Sequence, residues 1–154
     1  MKKIILITTT VLFAVITANV YAQEPKPYKP LSAFGTDTIA FLRYNFKERA
    51  DQYAGKTIAE ILNDAQLPPK SFTPISSMYV GKEGGIIIYF DNSTKYERLQ
   101  RVNKYSYDYI YIYIYFTINS TPLYQFMKSY DNDYWVIEHY NFFKHVKADR
   151  VSSR

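Results

Sequence analysis

His139 and His145 are the only imidazoles in the chain, and they stand six residues apart in "EHYNFFKH". That spacing matches neither the i, i+4 pair of a helical zinc motif nor a close pair on a strand, where they would share a face but lie ~20 Å apart. Zinc binding through both is not expected. The absence of cysteine removes thiol chemistry and Cys-ligated metal. For a Ser or Thr nucleophile the best base is His139 beside Glu138. Sequence neighbours, however, point apart on a strand and do not face each other on a helix. Carboxylate pairs for glycoside cleavage would come from Asp91, Asp108, Asp131, Asp133 or Glu138, and no spacing selects two of them. Gly81, Gly84 and Gly85 lead into a strand-like run, so they form no phosphate-cradling loop before a helix. Asp131, Asn132 and Asp133 lack the glycine and distal glutamate of a calcium loop and read as a turn. No cofactor and no metal are expected. A small secreted hydrolase using carboxylates and His139 stands as an alternative to a non-catalytic role, and a structural envelope protein as another.

The chemistry that remains is adhesive. In "YDYIYIYIYF" and the residues after it, Tyr107, Tyr109, Tyr111, Tyr113 and Tyr115 share one parity, while Ile110, Ile112, Ile114, Phe116 and Ile118 share the other. This is the two-residue period of a strand, and its aliphatic side is the natural partner for helices. Phenol rings fill cores, or they present large contact area to sugars and proteins. The tyrosine side therefore has three readings: covered by the C-terminal segment, open as a platform for a glycan or peptide, or part of a protein interface. Beside it, Lys95, Arg98, Arg101 and Lys104 are spaced by three between Asp91 and Tyr105. On a helix they would align as an anion-binding face, diluted by Glu97; a solvated loop is the plainer reading.

These residues need elements to hold them. "GTDTIAFLRYNFKERADQY" predicts a first helix capped by Thr36 or Asp37, with Ile39, Leu42, Phe46, Ala50 and Tyr53 on one stripe and Gly55 ending it. "TIAEILNDAQLPP" predicts a second, where Thr57 and Glu60 have capping-box spacing and Pro68 and Pro69 forbid continuation. The period then changes from 3.6 to 2. "KSFTPIS" reads as an edge strand because of Pro74. "GGIIIYF" reads as a central strand covered on both faces and paired antiparallel with the Ile/Tyr strand, which is itself too apolar to lie on an edge. "STPLYQFMKSY" predicts a further helix, with Thr121 as cap and Pro122 at its first position. A last strand is expected near His145 to Val151. Both periods fit Tyr134 to Phe143 in part, so that segment stays open.

The opening residues carry an address. Lys2 and Lys3, an apolar run from Ile4 to Ala18, and Val20 and Ala22 before Gln23 form a secretory signal peptide, with cleavage expected after Ala22. Three threonines interrupt the run, which is shorter than the ~20 apolar residues of a membrane span. No stable span is expected once the signal is cleaved. Removing 22 of the 154 residues leaves 132, enough for one domain with one core, and lowers the net charge from +5 to +3. So mild a charge on a secreted chain argues against nucleic acid. A disulfide-free secreted domain points to a bacterial periplasm or exterior. The chain holds 17 Tyr and 10 Phe, and nearly all of them fall beyond the signal segment. Residues 23–33, with Pro25, Pro27 and Pro30, read as an extended proline-rich tether, and 34–154 as the folded domain.

"DTIAFLRYNFKERADQYAGKTIAEILND", "SFTP" and "GIIIYF" together resemble small secreted bacterial proteins of unknown function that open with two helices and continue into a sheet. The resemblance covers residues 36–90 best. It implies a fold and an extracellular address, and brings no activity and no site residues. The expectation is thus an α+β domain: two N-terminal helices packed on a three- to four-stranded mostly antiparallel sheet, with a further helix near the C-terminal third. Its expected role is recognition of an extracellular or periplasmic protein or glycan through the tyrosine face, with the Lys95–Lys104 loop beside it.

Overall fold

The computed structural model describes residues 25–75, 83–92, 110–117, 125–126 and 134–153. Helix α1, Thr38–Phe46, begins where Asp37 Oδ1 accepts the Ala40 N–H at 2.8 Å. The single helix expected through Tyr53 is broken. After Phe46 the Lys47 and Glu48 N–H groups both donate to the Arg43 carbonyl, Arg49 turns the chain, and a 3₁₀ turn follows over Ala50–Tyr53. The expected stripe keeps Leu42, Phe46 and Tyr53 in the core. Ile39 is exposed instead, and Phe41 is buried.

Helix α2, Ile58–Ala65, has both halves of its capping box: the Glu60 N–H donates to Thr57 Oγ1 at 3.3 Å, and the Thr57 N–H to Glu60 Oε2 at 2.7 Å. It ends on Gln66, a residue in the left-handed region at φ 52°, ahead of Pro68 and Pro69. A glycine is the usual occupant of that position.

Four antiparallel strands follow in spatial order: β1, Ser71–Ile75; β2, Glu83–Tyr89; β3, Tyr111–Thr117; and β4, Arg150–Ser153. β1, carrying Pro74, is an edge, where a missing N–H is tolerated. β2 and β3 are central, as their apolarity requires. The register pairs Ile86 with Ile114 and Ile88 with Ile112, then Ile114 with Val151, which makes one continuous aliphatic face. Phe72, Phe116 and these isoleucines are wholly buried beneath the helices. Ile87, on the other parity, is only half-buried.

The open segment resolves as helix α3, Ile137–Phe143. His139 and Phe143, one turn apart, are its buried residues. Phe143 lies 6.0 Å from the Phe72 ring and 6.2 Å from the Phe116 ring, so α3 packs on the aliphatic side too. The last strand starts later than expected because residues 144–148 pair elsewhere. Ile58 and Ala59 donate to Val146 and Lys144, Gly55 donates to Ala148, and Ala148 donates to Lys56. Of the helix expected from Ser120, only Gln125 and Phe126 are described, and both are helical. Residues 1–22 lie outside the described residues.

The end of the segment read as an extended tether winds into a separate short 3₁₀ stretch, Leu31–Phe34, while residues 25–30 form no helix or strand and yet do not hang free. They lie against α1, the 3₁₀ turn and α2, held by side chains of Tyr44, Asn45, Arg49 and Gln52. The folded unit therefore takes in at least part of the segment read as a tether.

Candidate binding face

Strand parity builds the face. With Ile112, Ile114 and Phe116 committed inward, Tyr111, Tyr113 and Tyr115 must emerge on the opposite side of the sheet. Each is half-buried there. The antiparallel register sets Tyr89 of β2 opposite Tyr111, so a fourth phenol joins the row, buried where the other three are half-buried. The signal for Tyr89 was present in "IIIYF", since its parity opposes that of Ile86 and Ile88.

The row is crossed at Tyr111 and nearly parallel between Tyr113 and Tyr115. The Tyr89 and Tyr111 rings lie 5.8 Å apart at 61°, Tyr111 and Tyr113 5.2 Å apart at 85°, and Tyr113 and Tyr115 6.0 Å apart at 17°. Edge-to-face geometry is the arrangement that ring quadrupoles favour. At the far end the Arg150 guanidinium carbon sits 3.8 Å from the Tyr115 ring centroid. Its Nε donates to Glu83 Oε1 at 2.8 Å, joining β4 to β2 across the tyrosine strand. Gly85 is paired with Tyr115, and a Cβ there would lie 2.5 Å from the Ile114 carbonyl oxygen. That close approach explains a glycine in the middle of a sheet.

Of the residues expected to form the site, the structure therefore brings together Tyr111, Tyr113 and Tyr115. Tyr107, Tyr109, Lys95, Arg98, Arg101 and Lys104 lie outside the described residues. Arg150 and Glu83 were missed: each is an ordinary surface charge by sequence, and only strand pairing puts them beside Tyr115. Of the C-terminal segment 134–153, Arg150 lies over Tyr115. That segment adds β4 at the sheet edge and packs α3 on the opposite, aliphatic face.

Of the catalytic candidates, His139, Glu138 and Asp91 are described, and Asp108, Asp131 and Asp133 lie outside the described residues. His139 is buried, with Phe72 at 4.8 Å, Phe126 at 5.8 Å and Trp135 at 6.0 Å between ring centroids. Its Nδ1 accepts the Val136 N–H at 3.1 Å, so it caps the start of α3. Burial holds its pKa below the ordinary imidazole value, with the nearby Glu138 charge opposing in part. A general base must reach a substrate proton, and this ring has Nδ1 engaged by Val136, a further backbone hydrogen bond at Tyr134 and almost no surface. Asp91 accepts the Ile110 N–H at 3.0 Å and so closes the end of the β2–β3 pair. Among the described residues no group of three or more His, Asp and Glu side chains could hold a metal ion. Among them, too, no helix is long and apolar enough to cross a membrane.

Comparison with known proteins brings no match: no family model, no curated protein and no solved structure is significantly similar to the chain.

Proposed function

We propose that this chain is a secreted, non-catalytic binding module that recognises a protein through the tyrosine face of its sheet. The observation carrying the reading is the half-buried row Tyr111–Tyr113–Tyr115, backed by the buried Tyr89, ended by Arg150 and set on the face opposite α1 and α3. Tyrosine and arginine are the residues enriched at the centres of protein interfaces, where rigid rings give contact area at small entropy cost. The crossed ring planes favour a protein over a glycan. A sugar stacks best on a flat, exposed ring face, whereas Tyr111 meets its neighbours at 61° and 85° and Tyr115 is covered by a guanidinium. The secreted address rests on the lysine-led apolar leader and its Val20/Ala22 cleavage signature.

The test replaces Tyr111 and Tyr115 by Ser in the full chain, together with an aliphatic-face control such as Ile114→Val. Wild type and control should retain the same extracellular or periplasmic proteins on an affinity column, and the Tyr111→Ser/Tyr115→Ser variant, still folded, should lose them. Retention by all three, or saturable binding to a glycan array in place of protein, overturns the proposal.

A further inference from the structure

We infer that the groove over α1, the 3₁₀ turn and α2 is a receptor site for an extended, proline-spaced peptide, and that residues 26–31 are its ligand in cis. This surface is built from residues other than those of the tyrosine face.

The groove reads main chain. At Lys26 and Pro27 it supplies only donors: Arg49 Nε and Gln52 Nε2 both donate to the Lys26 carbonyl, at 2.8 and 2.9 Å, and the Tyr44 hydroxyl donates to the Pro27 carbonyl at 3.1 Å. Proline has no N–H, so at Pro27 nothing is left unmet. At Lys29 the Asn45 side chain meets both backbone groups, as a neighbouring strand would: its Nδ2 donates to the carbonyl at 2.8 Å and its Oδ1 accepts the N–H at 3.2 Å. Gln66 Oε1 then accepts the Leu31 N–H at 2.8 Å. Leu31 and Tyr28 are half-buried against the core, and of the two it is Tyr28 whose side chain hydrogen-bonds. Its hydroxyl donates to the Asp64 carbonyl at 2.7 Å, and the Arg49 guanidinium lies 5.3 Å from its ring. The two lysines stay at the rim, Lys26 on Glu48 and Lys29 over the Tyr44 ring.

Two features distinguish this from incidental packing. Asn45 is wholly buried and Arg49 nearly so, and among the described residues Arg49 has no carboxylate partner; its acceptors are the Lys26 carbonyl, Asn45, Gln52 and the Tyr53 hydroxyl. Emptied, the groove would open the Asn45 amide and the Arg49 guanidinium to water, so an occupant has to meet them with its own backbone groups. Any extended main chain meets that demand, and a polyproline-type segment meets it with the least loss of freedom. The specificity is therefore a main-chain ladder with prolines where no N–H is wanted, and a tyrosine at the position of Tyr28.

A tethered ligand competes at an effective concentration on the order of millimolar, so the cis segment has to be loosened before a free peptide is visible. The full chain carrying Pro27→Gly, Tyr28→Ala and Pro30→Gly would be titrated with a peptide of residues 24–32. Its lowered Tm should rise saturably with that peptide. The response should vanish for a peptide with Ala at position 28, and for a protein that also carries Arg49→Met. Absence of a sequence-dependent rise overturns the inference. Should the triple variant be unfolded alone, peptide-dependent recovery of its circular dichroism supports the inference and no recovery overturns it. Tyr28→Phe, which deletes only the bond to Asp64, provides a folded second host; a labelled peptide that binds neither host at millimolar concentration overturns the inference as well.

Discussion

Replacing Ile112 and Tyr111 by alanine, one at a time, compares the two faces of a single strand at adjacent positions. Ile112 is wholly buried between Ile88 and Ser153, under the helices. Its truncation removes three carbons from a packed core and leaves a cavity, a loss of about 3–4 kcal/mol. For a domain of this size that lowers Tm by about 10–15 °C. Tyr111 is half-buried, and its ring meets Tyr89 at 5.8 Å and Tyr113 at 5.2 Å. Ring pairs add about 0.5–1.5 kcal/mol each beyond area, and part of this ring is already in water, so the expected loss is about 1–2 kcal/mol, or about 5 °C. Urea unfolding at constant m-value, with a thermal melt beside it, measures both. Equal losses, or a larger loss for Tyr111→Ala, would mean that the tyrosine side is a second core, and the binding face would be gone.

Gly85→Ala should cost about 2 kcal/mol or more, since the new Cβ meets the Ile114 carbonyl at 2.5 Å and the central pair must shift; an unchanged denaturation midpoint would refute the stated register. Thr57→Ala removes one half of the α2 capping box and should lower stability by about 1 kcal/mol, read from the urea midpoint, with no change counting against the cap. His139 is held below its ordinary pKa by burial, so the unfolded chain takes up the proton first as pH falls. The stabilising contribution is thus complete above about pH 6.5 and is lost as pH drops through the lowered folded value. The urea midpoint should fall between pH 7.5 and 5.5 in wild type and less so in His139→Gln; parallel slopes would refute the assignment.

Much of the fold was legible because local chemistry and tertiary demand coincide in it. Asp37 and the Thr57/Glu60 pair cap their helices by bonds that span three residues, and nothing distant alters them. Pro74 confines β1 to an edge, and the Ile/Tyr alternation assigns sides to β3, because a side-chain period of two admits no compromise. Where expectation failed, a distant contact had intervened. The first helix stops at Phe46 because Arg49 turns inward to hold the Lys26 carbonyl, 23 residues earlier in the chain. β4 begins late because residues 144–148 hydrogen-bond to the start of α2.

The candidate face divides in the same way. That Tyr111, Tyr113 and Tyr115 share one side follows from parity alone, since successive side chains on a strand must alternate. That Tyr89 extends the row, that Arg150 lies over Tyr115, and that His139 turns into an aromatic core depend on which strands and helices meet. Pairings between residues tens of positions apart leave no trace in local spacing, and only the packed molecule selects them.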